Sequence, residues 1–189
     1  MDHLAAAVAT EQPDLRSHAA PDGTVTILFS DIEGSTQMTE RLDYQRMQQV
    51  LRGHNDIVRH QVAAFAGIEV KSLVDGFMLA FSSARRALQC ATAIQRAFAA
   101  HNQELSEEPV LVRMGLRTGE FVQEMDDFFG KNVILASRIA DQADGGEILV
   151  SLLLKELTDS AGDIQFGEGQ ERELKGLSGL NRVYLVDRS

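Results

Sequence analysis

The chain has 189 residues and a formal net charge of −10, and 44% of its residues are apolar. This length allows one well-cored domain and is short for two. The acidic balance disfavours nucleic acid and anionic membrane surfaces as partners, because both reward a basic patch. The single cysteine, Cys90, excludes an intrachain disulfide and fits a reducing compartment. We therefore expect a soluble, cytoplasmic protein without a membrane span.

The first part of the chain predicts a tail, a strand and a long helix. Residues 1–22 are rich in alanine and polar residues without a sustained period, so we expect a flexible tail, with the folded domain over residues 23–189. Residues 25–29 are β-branched and apolar, which predicts a buried strand. Apolar residues then recur at three- and four-residue steps over residues 36–66, which predicts a long helix that ends at Gly67.

The rest of the chain alternates between short strands and helices. Residues 68–73 and 77–81 predict a hairpin with Asp75 and Gly76 at its turn. The further predictions are a helix over 83–101, a strand over 110–116, a helix over 131–143, a strand over 147–151, a short helix over 152–158, and a terminal hairpin over 164–174 and 183–186. This mixed order predicts an α+β fold, with a ferredoxin-like antiparallel sheet covered by helices.

Two acidic residues lie at predicted strand ends. Asp31 follows the first strand and Asp75 lies at the tip of the hairpin. A pair of strand-end carboxylates is what a two-metal phosphoryl- or nucleotidyl-transfer site needs. Taken singly, Asp31 could equally be a turn or N-cap residue, and Asp75 an ordinary hairpin residue.

Six sequence blocks resemble, in order, those of the class III adenylyl and guanylyl cyclases. The blocks are residues 28–36 (LFSDIEGST), 71–78 (KSLVDGFM), 113–120 (RMGLRTGE), 127–130 with 136–139 (DFFG and ASRI), 145–151 (GGEILVS) and 174–177 (LKGL). Together the resemblance covers about residues 24–187, which is almost everything but the predicted tail.

The resemblance implies a metal site and a phosphate-binding turn. Asp31 and Asp75 would hold two Mg²⁺ or Mn²⁺ ions per site, with the Ile32 carbonyl as a further ligand. Other residues implied to contact the substrate around the first strand are Ile32, Gly34, Ser35 and Thr36.

The resemblance also implies the groups that read the base and stabilise the reaction. Lys71 and Asp127 would read the adenine edge, since an ammonium donates to a ring nitrogen and a carboxylate accepts from the exocyclic amine. Arg138 would stabilise charge on the α-phosphate during attack by the ribose 3′-hydroxyl, and Lys175 would contact the triphosphate. The expected reaction is conversion of ATP to 3′,5′-cyclic AMP and pyrophosphate. Arg138 could instead be a helix-surface residue paired with Asp141 or Asp144.

In this family, two catalytic domains lie head to tail and share each active site. The metal-binding aspartates come from one domain, and the base-reading and transition-state residues come from the other. This chain carries both sets, so the resemblance implies a homodimer with two symmetric sites and an inactive monomer.

Three positions depart from the family pattern. Ile134 stands where an asparagine usually orients the ribose, and the nearby Asn132 is about 200° away around a helix. Val74 stands where glycine is common, and Glu120 where some members have a phosphate-binding arginine. These departures leave open a cyclase that uses GTP or a pyrimidine nucleotide.

Two other functional hypotheses are compatible with some of these residues. A haloacid-dehalogenase-like phosphatase would use Asp31 as its nucleophile and Glu33 as a crude second acid, but it needs a parallel sheet. A cyclase-homology domain that only binds nucleotide or dimerises is favoured by Ile134 and opposed by the retained Asp31, Asp75 and Arg138.

Overall fold

The computed structural model describes residues 2–11, 13–104, 107–120 and 126–187, and describes only the backbone for residues 126–130. The helices of this part are α1 (Asp2–Glu11), α2 (Ser35–Arg41), α3 (Tyr44–Ala64), α4 (Ala84–Glu104), α5 (Asp126–Asp141) and α6 (Leu152–Asp159). The strands are β1 (Thr24–Ile32), β2 (Ile68–Leu73), β3 (Gly76–Phe81), β4 (Val112–Glu120), β5 (Ile148–Ser151), β6 (Gln170–Glu173) and β7 (Leu180–Leu185).

The strands form one sheet in the order β2-β3-β1-β4-β5-β7-β6. Neighbouring strands are antiparallel except for β4 and β5, which are parallel. The parallel pair follows from its connection, because α5 carries the chain back across the sheet before β5 begins. The prediction of an α+β fold, with helices on a largely antiparallel sheet, is confirmed.

Alternation along β1 gives the sheet two different faces. Leu28 belongs to the core cluster that holds Val58 of α3 and Leu88 of α4, and we call this side the α3/α4 face. Phe29 belongs to the second cluster, with residues of α1 and α5. The period of two places Asp31 on this second side, the α1/α5 face.

The predicted long helix is two helices. The chain is extended at Leu42, and the Asp43 side chain caps α3 by accepting a hydrogen bond from the Arg46 backbone N–H at 2.9 Å. An acid at this position ends one helix and starts the next because it satisfies a free helix-end donor. At the other end of α3, Ala66 adopts the left-handed conformation (φ 56°), while Gly67 makes room for the Phe81 ring.

The segment expected to be a flexible tail contains α1. Leu4, Ala5 and Val8 on this helix are buried in the core cluster of the α1/α5 face. A ten-residue helix is marginal on its own, so packing against the rest of the domain accounts for it. Its apolar stripe is short, so the spacing of Leu4 and Val8 gives a weak periodic signal in the sequence.

The remaining elements lie within a few residues of their predicted positions, apart from the terminal hairpin. There, β6 is confined to Gln170–Glu173, and an isolated bridge joins Phe166 to Val186. Cys90 is buried in α4, and burial raises the pKa of its thiol to about 12. Within the described residues, each helix is too short or too polar to cross a bilayer.

Candidate active site

The sheet brings Asp31 and Asp75 together. Asp31 lies near the end of β1, where it pairs in register with Gly76, the first residue of β3. The Ile32 backbone N–H donates to the Asp75 carbonyl at 3.1 Å, so the turn between β2 and β3 is fixed against the end of β1. The two acids are therefore neighbours, Asp31 near the end of β1 and Asp75 in the turn that leads into the adjacent strand β3.

Electrostatics favour a cation at this pair. The Asp31 side chain is only 10% exposed. Burial raises its pKa above the ordinary range, the hydrogen bond from Arg113 opposes this rise, and the charge of Asp75 adds to it. A bound cation would relieve both the burial cost and the repulsion between the two carboxylates.

Each carboxylate is anchored through one oxygen. Arg113 donates to Asp31 Oδ2 from Nη2 at 2.8 Å and from Nε at 3.2 Å. The Ser35 hydroxyl donates to Asp75 Oδ2. No hydrogen bond from the described residues reaches Oδ1 of either acid, which leaves one oxygen of each available as a ligand.

The donor set fits a hard divalent cation. Among the described residues no group of three or more His, Cys, Asp or Glu side chains is arranged to hold a metal. Mg²⁺ does not require such a group, because it binds through one or two carboxylates and completes its shell with water and substrate phosphates. Asp31 and Asp75 could hold such an ion, whereas a zinc site would need more nitrogen or sulfur ligands.

The turn after β1 combines a left-handed glycine with the start of α2. Gly34 has φ 68° and is the N-cap residue of α2, without a side-chain cap. Ser35 was expected to contact the substrate, and in the structure its hydroxyl donates to Asp75. Thr36 is exposed in the first turn of α2. Glu33 accepts a hydrogen bond from the Gly145 N–H at 2.9 Å and so connects the turn to the loop before β5.

The three predicted substrate cations lie around α1. Lys71 on β2 forms an ion pair with Glu11 at the end of α1. Arg138, in the last turn of α5, forms an ion pair with Asp2 at the start of α1. Lys175, in the turn after β6, places Nζ 3.7 Å from Asp2 Oδ2. Arg138 and Lys175 thus share one acid, and Lys71 lies at the opposite end of the helix.

A chain of side chains runs between Asp31 and Arg138. Arg113 bonds Asp31 and also reaches Asp141, with 3.9 Å between Arg113 Nη2 and Asp141 Oδ1. Asp141 Oδ2 lies 3.3 Å from Arg138 Nη1, so the expected alternative pairing of Arg138 with Asp141 is present. The Arg138 Nε is buried and has no hydrogen-bond partner among the described residues, so it retains a free donor.

Helix α5 has no amide side chain at position 134, where the family pattern places the asparagine that orients the ribose. Ile134 is half-buried. Asn132 donates to the Glu120 carbonyl at 3.0 Å and accepts from Arg117, so its amide is committed to β4. Asp127 lies in the first turn of α5, but its side chain is outside the described part, so its base-reading role stays a prediction.

Sequence reasoning gave no role to Arg113, Asp2 or Glu11. Arg113 pairs in register with Asp31 across β1 and β4, which only the strand pairing reveals. Asp2 and Glu11 lie in the segment expected to be a tail. The spacing of Leu4 and Val8, one helical turn apart, was the available signal for α1.

An α+β sheet with two neighbouring carboxylates at strand ends is an arrangement suited to phosphoryl- and nucleotidyl-transfer enzymes. The family model described as "Adenylate and Guanylate cyclase catalytic domain" matches residues 18–187. The chain therefore belongs to this family. The phosphatase hypothesis is wrong, because among the strands that the structure describes β4 and β5 are the single parallel pair.

Among sequence relatives, an adenylate cyclase of Podospora anserina is 35% identical over 156 residues, which cover 70% of this chain. The match covers 7% of the Podospora protein, so the chain corresponds to a small part of that relative. An adenylate cyclase of Neurospora crassa is 33% identical over 155 residues and is covered to the same 7%.

Solved cyclase structures share the fold. The guanylyl cyclase Cya2 superposes with a TM-score of 0.74 at 25% identity, covering 86% of this chain and 91% of that one. The adenylyl cyclase CyaB from P. aeruginosa superposes with a TM-score of 0.77 at 24% identity, covering 88% and 94%. One of these two structures is named a guanylyl cyclase and the other an adenylyl cyclase. Their names therefore leave the base preference of this chain open.

Proposed function

We propose that this chain is an adenylate cyclase that converts ATP to 3′,5′-cyclic AMP and pyrophosphate, with residues 23–189 as its catalytic domain. The observation that carries the proposal is the Asp31 and Asp75 pair, held side by side with one oxygen free on each. Membership of the cyclase family supplies the reaction class.

Asp31 and Asp75 would bind two Mg²⁺ or Mn²⁺ ions together with the Ile32 carbonyl. When bound, the metal ions would lower the pKa of the ribose 3′-hydroxyl and neutralise charge on the phosphates. Arg113 holds Asp31 by two hydrogen bonds to one oxygen, and Ser35 holds Asp75, so both ligands are preoriented. The turn at Gly34 and Thr36 lies beside them and is available to the triphosphate.

In the reaction, the ribose 3′-hydroxyl would release its proton to water, its oxygen would bond to the α-phosphorus, and the bond from that phosphorus to the pyrophosphate oxygen would break. Arg138 would stabilise negative charge on the α-phosphate through its free Nε donor, and Lys175 would bind the leaving pyrophosphate. Lys71, with Asp127, would select adenine, because guanine exchanges the donor and acceptor positions that these groups address.

The site is proposed to form between two copies of the chain arranged head to tail. In one copy, the side chains of Arg113 and Asp141 lie between Asp31 and Arg138. This separation supports a site in which the metal-binding acids of one copy act with Arg138 and Lys71 of a second copy. Two such sites would form per symmetric dimer.

The test is incubation of the purified chain with each of the four NTPs and Mn²⁺, followed by chromatography of the products. We expect cyclic AMP from ATP, and we expect Asp31→Asn to lower the rate at least about 100-fold because a metal ligand is lost. Asp56→Asn, an exposed acid on α3, is the matched control and should leave the rate unchanged. Product from another NTP alone would contradict the adenine assignment.

A second candidate is a nucleotide-binding or dimerisation module without turnover. It is favoured by the engagement of Asn132 with β4 and by the apolar Ile134, which leave the ribose without an obvious amide partner. Nucleotide binding by a verified dimer, with no cyclic product from any NTP, would support this module and contradict the cyclase.

A further inference from the structure

Helix α1 lies on the α1/α5 face, where the candidate site is located. It contacts α5, β2 and β3, and its buried residues Leu4 and Val8 belong to the same core cluster as Phe29 of β1 and Val133 of α5. A helix seated in this way covers the sheet next to Asp31 and holds its own two ends at fixed positions.

The acids at the two ends of α1 engage all three cations proposed to bind the nucleotide. Asp2 pairs with Arg138 and lies near Lys175, and Glu11 pairs with Lys71. The nine helical steps between Asp2 and Glu11 separate the two acids by about 14 Å. One rigid helix therefore occupies the phosphate-binding and base-reading cations at the same time.

The ion pairs that Asp2 and Glu11 form with these cations are weak enough to be broken and re-formed. The Asp2 and Glu11 side chains are 51% and 60% exposed, and ion pairs this exposed to solvent are weak. The buried Nε of Arg138 gains no hydrogen bond from the described residues while Asp2 is bound to Nη1. A triphosphate offers more charge and more acceptor oxygens than one carboxylate, so it can compete for the same guanidinium.

The charge state of Asp2 fits this contact. Partial desolvation raises the pKa of Asp2, but the hydrogen bond and charge of Arg138, together with Lys175, outweigh it and lower the pKa. The carboxylate therefore stays ionised at neutral pH, where the nucleotide also carries its full charge.

We propose that α1 is an autoinhibitory helix whose Asp2 and Glu11 carboxylates occupy Arg138, Lys175 and Lys71 in place of the nucleotide. The inference rests on the proposed function, since it takes these cations to be the substrate-binding groups. Release of α1 frees all three cations together. While α1 is docked, the apparent nucleotide affinity is reduced by the fraction of chains in which α1 is released.

The test compares Asp2→Asn/Glu11→Gln with the unaltered chain. Both substitutions remove charge, keep side-chain size, and leave the anchors Leu4, Ala5 and Val8 in place. The probe is α,β-methylene-ATP with Mg²⁺, which cannot be cyclised because carbon replaces the bridging oxygen, and its Kd is measured by calorimetry. We expect the Kd to fall about fivefold or more, in the range of typical coupling energies. The control Glu104→Gln/Glu156→Gln changes the net charge equally on α4 and α6 and should leave the Kd unchanged.

A second measurement needs no substitution. In the unaltered chain, amide hydrogen exchange at residues 4–8 should accelerate when the analogue binds, because bound nucleotide displaces α1. An unchanged Kd in Asp2→Asn/Glu11→Gln, or unchanged protection of residues 4–8 in the nucleotide-bound chain, overturns the inference.

Cyclic nucleotide formation is assayed in parallel, so that the two proposals fail separately. Tighter binding in the variant without cyclic product from any NTP supports the autoinhibitory helix and contradicts the cyclase. Cyclic product from the unaltered chain together with an unchanged Kd in the variant does the reverse.

Discussion

At the scale of single residues, Arg113 connects Asp31, the proposed metal-binding acid, to the rest of the candidate site. It contacts Asp31 through two nitrogen atoms, and it also donates to the Asp141 carbonyl at 3.5 Å at the end of α5. A planar guanidinium has several N–H donors in a fixed arrangement, so it can donate to Asp31 and to Asp141 at the same time, which the single ammonium group of a lysine does less well. In the proposed reaction Arg113 would therefore be a positioning residue, since it would act on the substrate only through Asp31.

We expect Arg113→Lys to lower kcat about 10–100-fold, the usual effect of losing a group that orients a metal ligand. The KM for ATP should change by less than about twofold, because Arg113 makes no proposed contact with the nucleotide. The Mn²⁺ concentration needed for half-maximal activity should rise. Steady-state kinetics at several Mn²⁺ concentrations measures all three quantities.

Arg85→Lys is the control for this substitution, because Arg85 also pairs with an acid, Asp163, but lies on α4 away from the site. Equal kcat and equal Mn²⁺ dependence in Arg113→Lys and Arg85→Lys would show that Arg113 does not position Asp31.

At the scale of elements, the close approach of β4 and α5 determines where Arg138 lies. Gly115 of β4 lies against the backbone of Ala140 in α5, and a side chain at position 115 would collide with it. Gly115 also pairs with Phe29 of β1, so both neighbours are fixed. The absent side chain lets α5 lie directly on the sheet, with Arg138 within reach of Asp141 and Asp2.

Gly115→Ala should therefore destabilise the fold by about 1–3 kcal/mol, since neither the helix nor the sheet can yield freely. Gly53→Ala is the matched control, and its change in the free energy of unfolding should have the opposite sign. Gly53 lies within α3, and its nearest contact for an added Cβ is His101 at 3.8 Å, so alanine should stabilise that helix by about 0.5–1 kcal/mol. Urea unfolding of the three proteins gives both values, and a Gly115→Ala midpoint equal to that of the unaltered chain would contradict the tight seat of α5.

The elements also show which parts of the fold the sequence could predict. The hairpin of β2 and β3 was predictable because the Asp75-Gly76 turn and the strand alternation are local signals. The break between α2 and α3 depended on one acid, Asp43, whose capping role the helical period of the flanking residues concealed. Helix α1 was not predicted, because contacts with the distant elements α5, β2 and β3, and not a long periodic pattern of its own, hold it in place.

The candidate site, like the fold, was predictable from the sequence in some features and not in others. The resemblance implied that Asp31 and Asp75 lie close together, and the structure places them on neighbouring parts of the sheet. The pairing of Arg138 with Asp141 was expected as an alternative, and it is present. The pair of Arg113 with Asp31 was not expected, because it requires the β1/β4 register, and the pairs with the acids of α1 were not, because they require a helix in the supposed tail. Ion pairs between residues far apart in sequence leave no local pattern.

At the scale of the whole molecule, the shared-site proposal can be tested by mixing inactive chains. Asp31→Ala and Arg138→Ala should each be inactive alone, because every site in either homodimer lacks one group. In a heterodimer, one site receives both altered residues and the other receives none. Random exchange in an equal mixture makes half of the dimers heterodimers, each with one intact site of two, so activity should return to about a quarter of the unaltered value.

The control mixture is Asp31→Ala with Asp75→Ala. Both substitutions affect the proposed metal-binding half of the site, so each proposed site in their heterodimer would lack one acid and no activity should return. Heterodimer formation is verified in both mixtures by co-purification through two different tags. Verified Asp31→Ala/Arg138→Ala heterodimers without activity would mean that Asp31 and Arg138 do not act across a dimer interface, and each chain would then have to assemble its site from the Asp31, Arg113, Asp141 and Arg138 network alone.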